Sequence, residues 1–295
     1  MFFLSGSQKK FFNKNGYLVI ENLLNKKKIN KLHKLSSDIF EGKYNTKIAP
    51  DKVKQPTSTN ISLSKLGISD NIITPLQVCN VWKSNYTFAQ LILSKQLGRI
   101  ATELMGWDGT RLNQASLFCV APNSGGVTMH QDDAYQDWNV PGSVITAWIP
   151  LVDVNEKRAC IKYLPGSHKW RGIHKPLEYF FSGKNYLYPL ANNKNFKKEN
   201  MISIQAKVGD VAFHHGKLWH GSSINSTKNN RVSIASHLMP VNSKFHKVVK
   251  ESILSRYKNF TNCKMDENHF PIIWTKKNNR SKFIDKFFKS AFKWV

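Results

Sequence analysis

A histidine and two carboxylates occupy the four positions 130–133, after a glycine-containing turn, in the stretch TMHQDDAYQDW, which runs from Thr128 to Trp138. Alternate side chains of a strand point to the same face, so a strand here would place His130 and Asp132 side by side. One imidazole and one carboxylate at that spacing could bind a single metal ion. Asp133 would then face solvent or brace the next turn. His-x-Asp pairs occur often by chance, so this pair needs a second half-site elsewhere in the chain.

The second half-site must supply another histidine from a different strand. The candidates near downstream strand patterns are His214, His215, His220 and His237. Only His220 is followed by Ser222 on the same predicted strand face and by Arg231 eleven residues later. In a lysine-dominated chain, an arginine there suggests a planar fork that binds a carboxylate through two hydrogen bonds. Two histidines and one carboxylate with open coordination positions are typical of non-haem Fe(II) oxygen chemistry, and the arginine fits the distal carboxylate of an iron-bound keto-diacid.

The elements that must position these side chains change in character at Arg111. After it, seven or so short apolar segments alternate with turn signals, which favours a β-sandwich or barrel. Before it, apolar periodicity predicts α/β structure with helices that pack on the outside. These earlier predictions are a strand within Gly16–Leu24, a helix from Lys26 to about Phe40, loop over 41–75 and one helix over Asn85–Gly106.

Composition sets broader limits on the function. The chain has 295 residues, 41% hydrophobic and 12% aromatic, which is enough apolar material for a sizeable core and excludes whole-chain disorder. The formal net charge of +25 comes from scattered lysines, so we favour a dispersed compositional bias over a nucleic-acid or membrane interface. The four cysteines form no CxxC pair, and no apolar run is long enough for a signal peptide or membrane span. We therefore expect a reducing, cytoplasmic location and no specific nucleic-acid partner.

Three segments resemble the phytanoyl-CoA dioxygenase family of Fe(II)/2-oxoglutarate oxygenases. They are MHQDDAYQDW, TAWIPLVDVNEKRACIKYLPGSHKW and GDVAFHHGKLWHGSSINSTKNNR. The opening FFNKNGYLVIENLL is also similar to the family's N-terminal strand, so the resemblance covers residues 11–240 in pieces. Two departures stand out: FCVAP lacks a lysine that many members carry before the His-x-Asp turn, and Cys160 replaces a residue that is commonly glycine or small.

The resemblance implies a mainly β fold with flanking helices around a double-stranded β-helix, the cupin-like jelly roll. It implies a single dioxygenase domain over 1–295, in which 1–110 packs on the core, 111–240 forms the core and 241–295 is an extension. It implies that His130, Asp132 and His220 hold Fe(II) and that Arg231 and Ser222 bind the far carboxylate of 2-oxoglutarate. With O2 as the other cosubstrate, the enzyme would hydroxylate an unactivated C–H bond of a small molecule and release succinate and CO2; anionic and acyl-type molecules are the candidate substrate classes.

Further residues are predicted to contact the cosubstrate or the substrate. Trp148 matches a family tryptophan near the cosubstrate, Thr146 shares its strand face, and Gln114 lies on an inner-strand pattern, so these three are predicted cosubstrate contacts. Tyr135 and Trp138 either line the substrate pocket or pack at the base of a loop.

The C-terminal stretch RSKFIDKFFKSAFKWV predicts a basic amphipathic helix with apolar residues on one face and lysines on the other. The simpler interpretation is that this helix packs on its own domain. The alternative is contact with an anionic membrane or an acidic carrier protein. For the whole chain, the competing function is a catalytically silent jelly-roll module that uses its basic surface to bind nucleic acid, a membrane or a carrier.

Overall fold

The computed structural model describes residues 2–63, 68–182 and 185–291. Its helices are α1 (Gly6–Asn15), α2 (Lys26–Phe40), α3 (Tyr86–Ile92), α4 (Lys95–Met105) and α5 (Lys282–Ala291). Its strands are β1 (Tyr17–Ile20), β2 (Lys52–Lys54), β3 (Ser58–Leu63), β4 (Ile68–Ile73), β5 (Leu76–Cys79), β6 (Gly109–Val120), β7 (Asn139–Val140), β8 (Ile145–Pro150), β9 (Lys162–Tyr163), β10 (Ile202–Ser203), β11 (Val211–His215), β12 (His220–Gly221), β13 (Arg231–Pro240), β14 (Lys244–Phe245) and β15 (Ile272–Thr275).

The large sheet has eight antiparallel strands in the order β1-β11-β8-β13-β6-β5-β2, with β15 paired to β6. Both faces of its central strands are buried. On β8, Ile145, Ala147 and Ile149 join the apolar core beneath the helices, whereas Thr146 and Trp148 point to the opposite face. The two-residue period of a strand thus separates packing residues from candidate site residues along the same six positions.

A smaller sheet, β10-β9-β12, lies across that opposite face. Trp148 and Ala212 of the large sheet pack in one apolar cluster with Ile161 and Tyr163 from the β9 region. The single bridge between His130 and His220 adds the 127–130 segment to the edge of the smaller sheet. A cavity lies between the two sheets, and the candidate site lines it.

Two predictions for the N-terminal region were wrong. The expected single helix over Asn85–Gly106 is two helices, because the Ser94 hydroxyl accepts a hydrogen bond from the Leu97 amide and starts α4 as a new helix. Residues 41–75, predicted as loop, include β2 and the β3–β4 hairpin. Polar composition concealed these strands because, in β2 at least, every residue is exposed.

The C-terminal extension is integrated into the core. The strand β15 pairs with β6, and Ile284 and Phe287 of α5 are buried. The Phe287 ring lies 5.2 Å from Tyr86, and the Phe283 ring lies 6.1 Å from Trp82. The domain itself therefore covers the apolar face at these positions, as the packing interpretation predicts. Positions 292–295 of the predicted helix lie outside the described residues.

Across the described ranges, no helix is both long and apolar enough to span a bilayer.

Candidate metal centre

His130, Asp132 and His220 meet inside the cavity, with one potential ligand atom from each residue within 4.8 Å of the other two. His130 Nδ1 lies 2.8 Å from the Thr128 carbonyl oxygen, and His220 Nδ1 lies 2.9 Å from the Leu218 carbonyl oxygen. A carbonyl only accepts, so each Nδ1 carries a proton, and in the neutral imidazole Nε2 then presents a lone pair. Both Nε2 atoms face Asp132 Oδ1, at 3.4 and 3.5 Å. Fixed tautomers of this kind are typical of histidines that bind a metal through the other nitrogen.

The local backbone differs from the predicted strand. His130 pairs with His220 through one bridge, and Asp132 then begins a short 3₁₀ turn that ends at Tyr135. The His-x-Asp spacing places both side chains at the metal centre through this turn and not through strand alternation. The acidic neighbour Asp133 is also buried and accepts a hydrogen bond from the Val144 amide at 2.9 Å, so it braces the following segment.

The protonation states suit a cation. Burial alone would raise the pKa of the Asp132 carboxyl, but the imidazoles around it, chiefly those of His220 and His237, hold that pKa well below its usual value. Burial lowers the pKa values of His220 and His214, which keeps both imidazoles neutral. An anionic carboxylate beside neutral imidazoles is the ligand set that a divalent metal requires.

The second oxygen of Asp132 faces away from the two Nε2 atoms and toward the large sheet. Thr146 Oγ1 donates to Oδ2 at 2.6 Å, and His214 Nε2 lies 3.2 Å from it. His237 Nδ1 lies 2.7 Å from the Thr146 hydroxyl and 3.5 Å from Oδ2 itself. Sequence reasoning considered His214 and His237 only as alternative ligands. Strand alternation on β11 could have indicated that His214 points inward and His215 outward.

Arg231 lies at another part of the same cavity wall and is 4% exposed. Its Nη1 atom donates to Ser233 Oγ at 2.7 Å, its Nη2 atom lies 3.5 Å from Ser222 Oγ, and its buried Nε atom has no partner. Burial lowers the pKa of the guanidinium to about 10, which still leaves it charged at neutral pH. Among the described residues, no carboxylate lies within ion-pair distance of Arg231. A buried, uncompensated cation with an unused donor fits an anionic ligand.

Apolar side chains form much of the remaining cavity wall. They come from both sheets and from residues 169–200, a segment between β9 and β10 that we call the insertion, and include Phe118, Val127, Trp148, Ile161 and Phe180. Phe180 was not predicted. Its ring packs edge-on against the His130 ring at 4.7 Å, and its carbonyl accepts from the Thr128 amide. The insertion therefore covers the metal cluster.

The weaker predictions separate into two groups. Thr146, Trp148 and Ser222 line the cavity, whereas Gln114, Tyr135 and Trp138 are not among its lining residues. Gln114 donates to Ser116 Oγ on its own strand. The predicted substrate contact Trp138 instead packs in a separate apolar cluster, with its ring 5.5 Å from Phe245.

Tyr135 lies behind His130, with 6.2 Å between the ring centroids. Its hydroxyl accepts a hydrogen bond from the Leu177 amide. Tyr135 thus ties the insertion to the turn that carries Asp132.

The close approach of two segments at Gly126 predicts a steric effect. A Cβ atom at this position would lie 2.1 Å from the Ser222 carbonyl oxygen, where a side chain cannot fit without moving backbone. We expect Gly126→Ala to lower the free energy of unfolding by about 1–3 kcal/mol, as overpacking does, measured by urea denaturation. Gly6→Ala is the control, because no atom lies within 4 Å of that Cβ position. Equal effects of the two substitutions would contradict the prediction.

The Phytanoyl-CoA dioxygenase (PhyH) family model matches residues 12–233 of this chain. A probable phytanoyl-CoA dioxygenase of Caenorhabditis elegans is 26% identical over 245 residues, which cover 79% of this chain and 75% of that protein. The peroxisomal phytanoyl-CoA dioxygenase of Homo sapiens is 27% identical over 242 residues, covering 79% of this chain and 68% of the human protein.

Solved structures confirm the predicted fold class. The non-heme alpha ketoglutarate dependent carbocyclase SnoK from nogalamycin biosynthesis superposes with a TM-score of 0.66 at 19% identity, covering 91% of this chain and 96% of SnoK. EctD from S. alaskensis, solved with 2-oxoglutarate and 5-hydroxyectoine, gives a TM-score of 0.64 at 16% identity and covers 89% and 87% of the two chains. At these identities the likeness shows the jelly-roll fold alone.

The family match covers most of the chain and includes the metal cluster and Arg231. It confirms the predicted class of enzyme and the predicted cofactor and cosubstrate, which the donor set independently fits. The chain therefore belongs to the phytanoyl-CoA dioxygenase family of non-haem Fe(II)/2-oxoglutarate-dependent oxygenases.

Proposed function

We propose that this enzyme hydroxylates an unactivated C–H bond of a small molecule at an Fe(II) ion held by His130, Asp132 and His220. Arg231 and Ser222 bind the far carboxylate of 2-oxoglutarate in this proposal. The observation that carries it is the pairing, in one cavity, of a neutral-imidazole and carboxylate cluster with a buried guanidinium that has no counter-ion among the described residues. One keto-diacid could satisfy both parts of the site, because its keto-acid end would chelate the metal ion and its far carboxylate would pair with Arg231.

When bound, Fe(II) would activate O2 as the oxidant, and 2-oxoglutarate would supply two electrons as it is converted to succinate and CO2, so that one oxygen atom enters succinate and the other enters the C–H bond of the substrate. The protein's own residues bind, orient and exclude water. The fixed Nδ1–H tautomers direct both Nε2 lone pairs to one point, and the Arg231 fork orients the cosubstrate. The apolar wall formed by Trp148, Ile161 and Phe180 limits the access of water to that point.

The reaction outcome is a separate part of the proposal. Solved structures with this fold include a carbocyclase, an epimerase and a protein bound to 5-hydroxyectoine, so the fold supports several chemistries. We favour hydroxylation over halogenation, because the Asp132 carboxylate would take the coordination position that a halide needs. The substrate is a small molecule in our proposal, and the positive charge of the lysine-rich surface favours an anionic one.

An anaerobic titration tests the site. Metal-free protein receives Fe(II) and 2-oxoglutarate, separately and together, while the visible charge-transfer band of an iron-chelated keto-acid is recorded. We expect the band only when both are present. Succinate release in the presence of O2 then identifies substrates from a panel, and mass spectrometry of the product distinguishes hydroxylation from other outcomes.

Arg231→Ala is expected to weaken 2-oxoglutarate binding in this titration by at least about 30-fold. Loss of one partner from a buried charge pair costs 2 kcal/mol or more, which corresponds to that factor. Arg158→Ala is the matched control: this arginine donates to the carbonyls of Asn230 and Asp153 and is not among the cavity-lining residues. Equal cosubstrate affinity in the two variants would contradict the role of Arg231. If the folded wild-type protein gives no band, the silent binding module becomes the better explanation.

A further inference from the structure

A second pair of residues reaches the metal-binding carboxylate from behind. Tyr163 on β9 and His214 on β11 are 0% and 1% exposed, and the Tyr163 hydroxyl lies 2.9 Å from His214 Nδ1. His214 Nε2 in turn lies 3.2 Å from Asp132 Oδ2. The three side chains form one buried chain of hydrogen bonds from the smaller sheet, through the large sheet, to the carboxylate.

The direction of each hydrogen bond follows from the acceptor at the end of the chain. An ionised carboxylate can only accept, so His214 Nε2 must carry the proton that it donates to Asp132. A neutral imidazole then has a lone pair on Nδ1, which accepts the Tyr163 O–H. Tyr163 therefore selects the His214 tautomer that donates to Asp132, as carbonyl oxygens select the tautomers of His130 and His220.

The backbone holds both residues in place. His214 lies opposite Thr146 across the β11–β8 pairing, and Tyr163 lies opposite His220 across the β12–β9 pairing. Consequently, the large sheet provides two hydrogen-bond donors to Asp132 Oδ2, from Thr146 and His214, and His237 Nδ1 lies 3.5 Å from the same oxygen. His220 on the smaller sheet faces Oδ1, as does His130, which is bridged to it. Asp132 is clamped between the two sheets.

We propose that Tyr163 and His214 are positioning residues that reserve Asp132 Oδ2 for hydrogen bonding, so that the carboxylate binds the metal through Oδ1 alone. The inference rests on the proposed assignment of Asp132 as a metal ligand. A carboxylate bound through one oxygen leaves the coordination positions that 2-oxoglutarate and O2 require. Without the His214 donor, Oδ2 keeps the hydrogen bond from Thr146 and the 3.5 Å approach of His237 Nδ1, but it is freer to turn toward the metal.

Three variants test the chain of hydrogen bonds. His214→Phe keeps a planar ring and removes both nitrogens, His214→Gln keeps an N–H donor near the position of Nε2, and Tyr163→Phe removes one hydroxyl. The readouts are the dissociation constant for Fe(II), measured by chelator competition, and the wavelength of the anaerobic band with Fe(II) and 2-oxoglutarate. Neither readout depends on turnover.

We expect His214→Phe to weaken Fe(II) binding by about 10–100-fold, the usual effect of losing a partner that orients a metal ligand, and to shift the band. His214→Gln should recover most of this loss. Tyr163→Phe should change both readouts in the same direction by a smaller factor. It should have no further effect when added to His214→Phe, because the hydroxyl acts only through that imidazole.

Tyr257→Phe is the matched control. It also removes a hydroxyl that donates to a carboxylate, that of Asp51, but it does so outside the cavity. It should leave Fe(II) affinity and the band unchanged.

Wild-type affinity and an unshifted band in folded Tyr163→Phe and His214→Phe would overturn the proposal. If His214→Phe does not fold, an unchanged Fe(II) affinity and an unshifted band in folded Tyr163→Phe overturn it equally. Absence of the band in the wild-type protein would instead refute the proposed function. The two failures are therefore distinguishable.

Discussion

Asp132→Ala is expected to lower the affinity for Fe(II) by more than about 100-fold and to abolish the keto-acid charge-transfer band. Residues that merely orient a metal ligand change affinity by up to about 100-fold, so loss of the ligand itself should exceed that factor. The substitution removes the only carboxylate of the described metal cluster and leaves neutral imidazoles around it. Chelator competition measures the affinity, and far-ultraviolet circular dichroism verifies the fold.

The neighbouring carboxylate provides a demanding control. Asp133 is equally buried, and burial raises its pKa to about 7, against the opposing effect of the hydrogen bond from Val144. Asp133→Asn keeps an oxygen that can accept from the Val144 amide and should retain Fe(II) binding. If Asp133→Asn loses the metal and Asp132→Ala keeps it, the assignment of the ligand is wrong.

Asp51→Asn is expected to lower the free energy of unfolding by about 3–5 kcal/mol at neutral pH, the typical effect of removing one partner from a buried ion pair. The Asp51 side chain is 4% exposed and lies 2.8 Å from the ammonium of Lys83, which is 9% exposed. Tyr257 donates to the same carboxylate at 2.6 Å, and Arg256 lies 3.1 Å from it. This cluster joins the C-terminal extension to the segment before α3, so its loss should weaken the packing of these two segments against each other.

The effect of Asp51 should depend on pH in a defined direction. Burial alone would raise the pKa of its carboxyl, but hydrogen bonds from Lys83, Tyr257 and Asn80 outweigh burial and lower the pKa below 3.8. A carboxyl with a lowered pKa in the folded state stabilises the protein above its unfolded-state pKa, and this contribution is lost as the pH falls through the folded-state value. The difference between wild type and Asp51→Asn should therefore be constant above about pH 5 and shrink below pH 4.

Asp108→Asn is the matched control for the Asp51 prediction. It removes the same negative charge from an ion pair at the surface: the Asp108 side chain, which pairs with Lys276, is 88% exposed. Exposed pairs contribute about 0–1 kcal/mol. Urea denaturation between pH 3 and pH 8 compares the two variants. A loss in Asp51→Asn no greater than in Asp108→Asn would show that the buried cluster does not stabilise the fold.

Much of the candidate site could be predicted from residue types and spacing. His130, Asp132, His220 and Arg231 lie in short, distinctive segments, and their chemistry is visible in the side chains themselves. The sandwich was also predictable, because strand periodicity and turn residues are local properties. Even so, the local argument for His130 and Asp132 was wrong about the backbone, since Asp132 begins a 3₁₀ turn.

Other features depended on which segments come together in space. His214 lies six residues from His220, and Tyr163 lies 51 residues from His214, yet only the pairing of β11 with β8 and of β12 with β9 places them behind Asp132. Phe180 covers His130 because the insertion folds back over the cavity. Such contacts join residues distant in the chain, and no local pattern encodes them.

Dependence on tertiary contacts also explains why some predicted site residues lie elsewhere in the structure. Gln114 and Trp138 have side chains suited to a pocket, but neighbouring strands and the C-terminal extension give them other partners. The helix α5 carries an apolar face that the sequence makes evident, while the burial of Ile284 and Phe287 against the domain decides what that face contacts. The sequence alone determines residue chemistry and local periodicity, whereas the contacts of each side chain depend on how distant segments pack together.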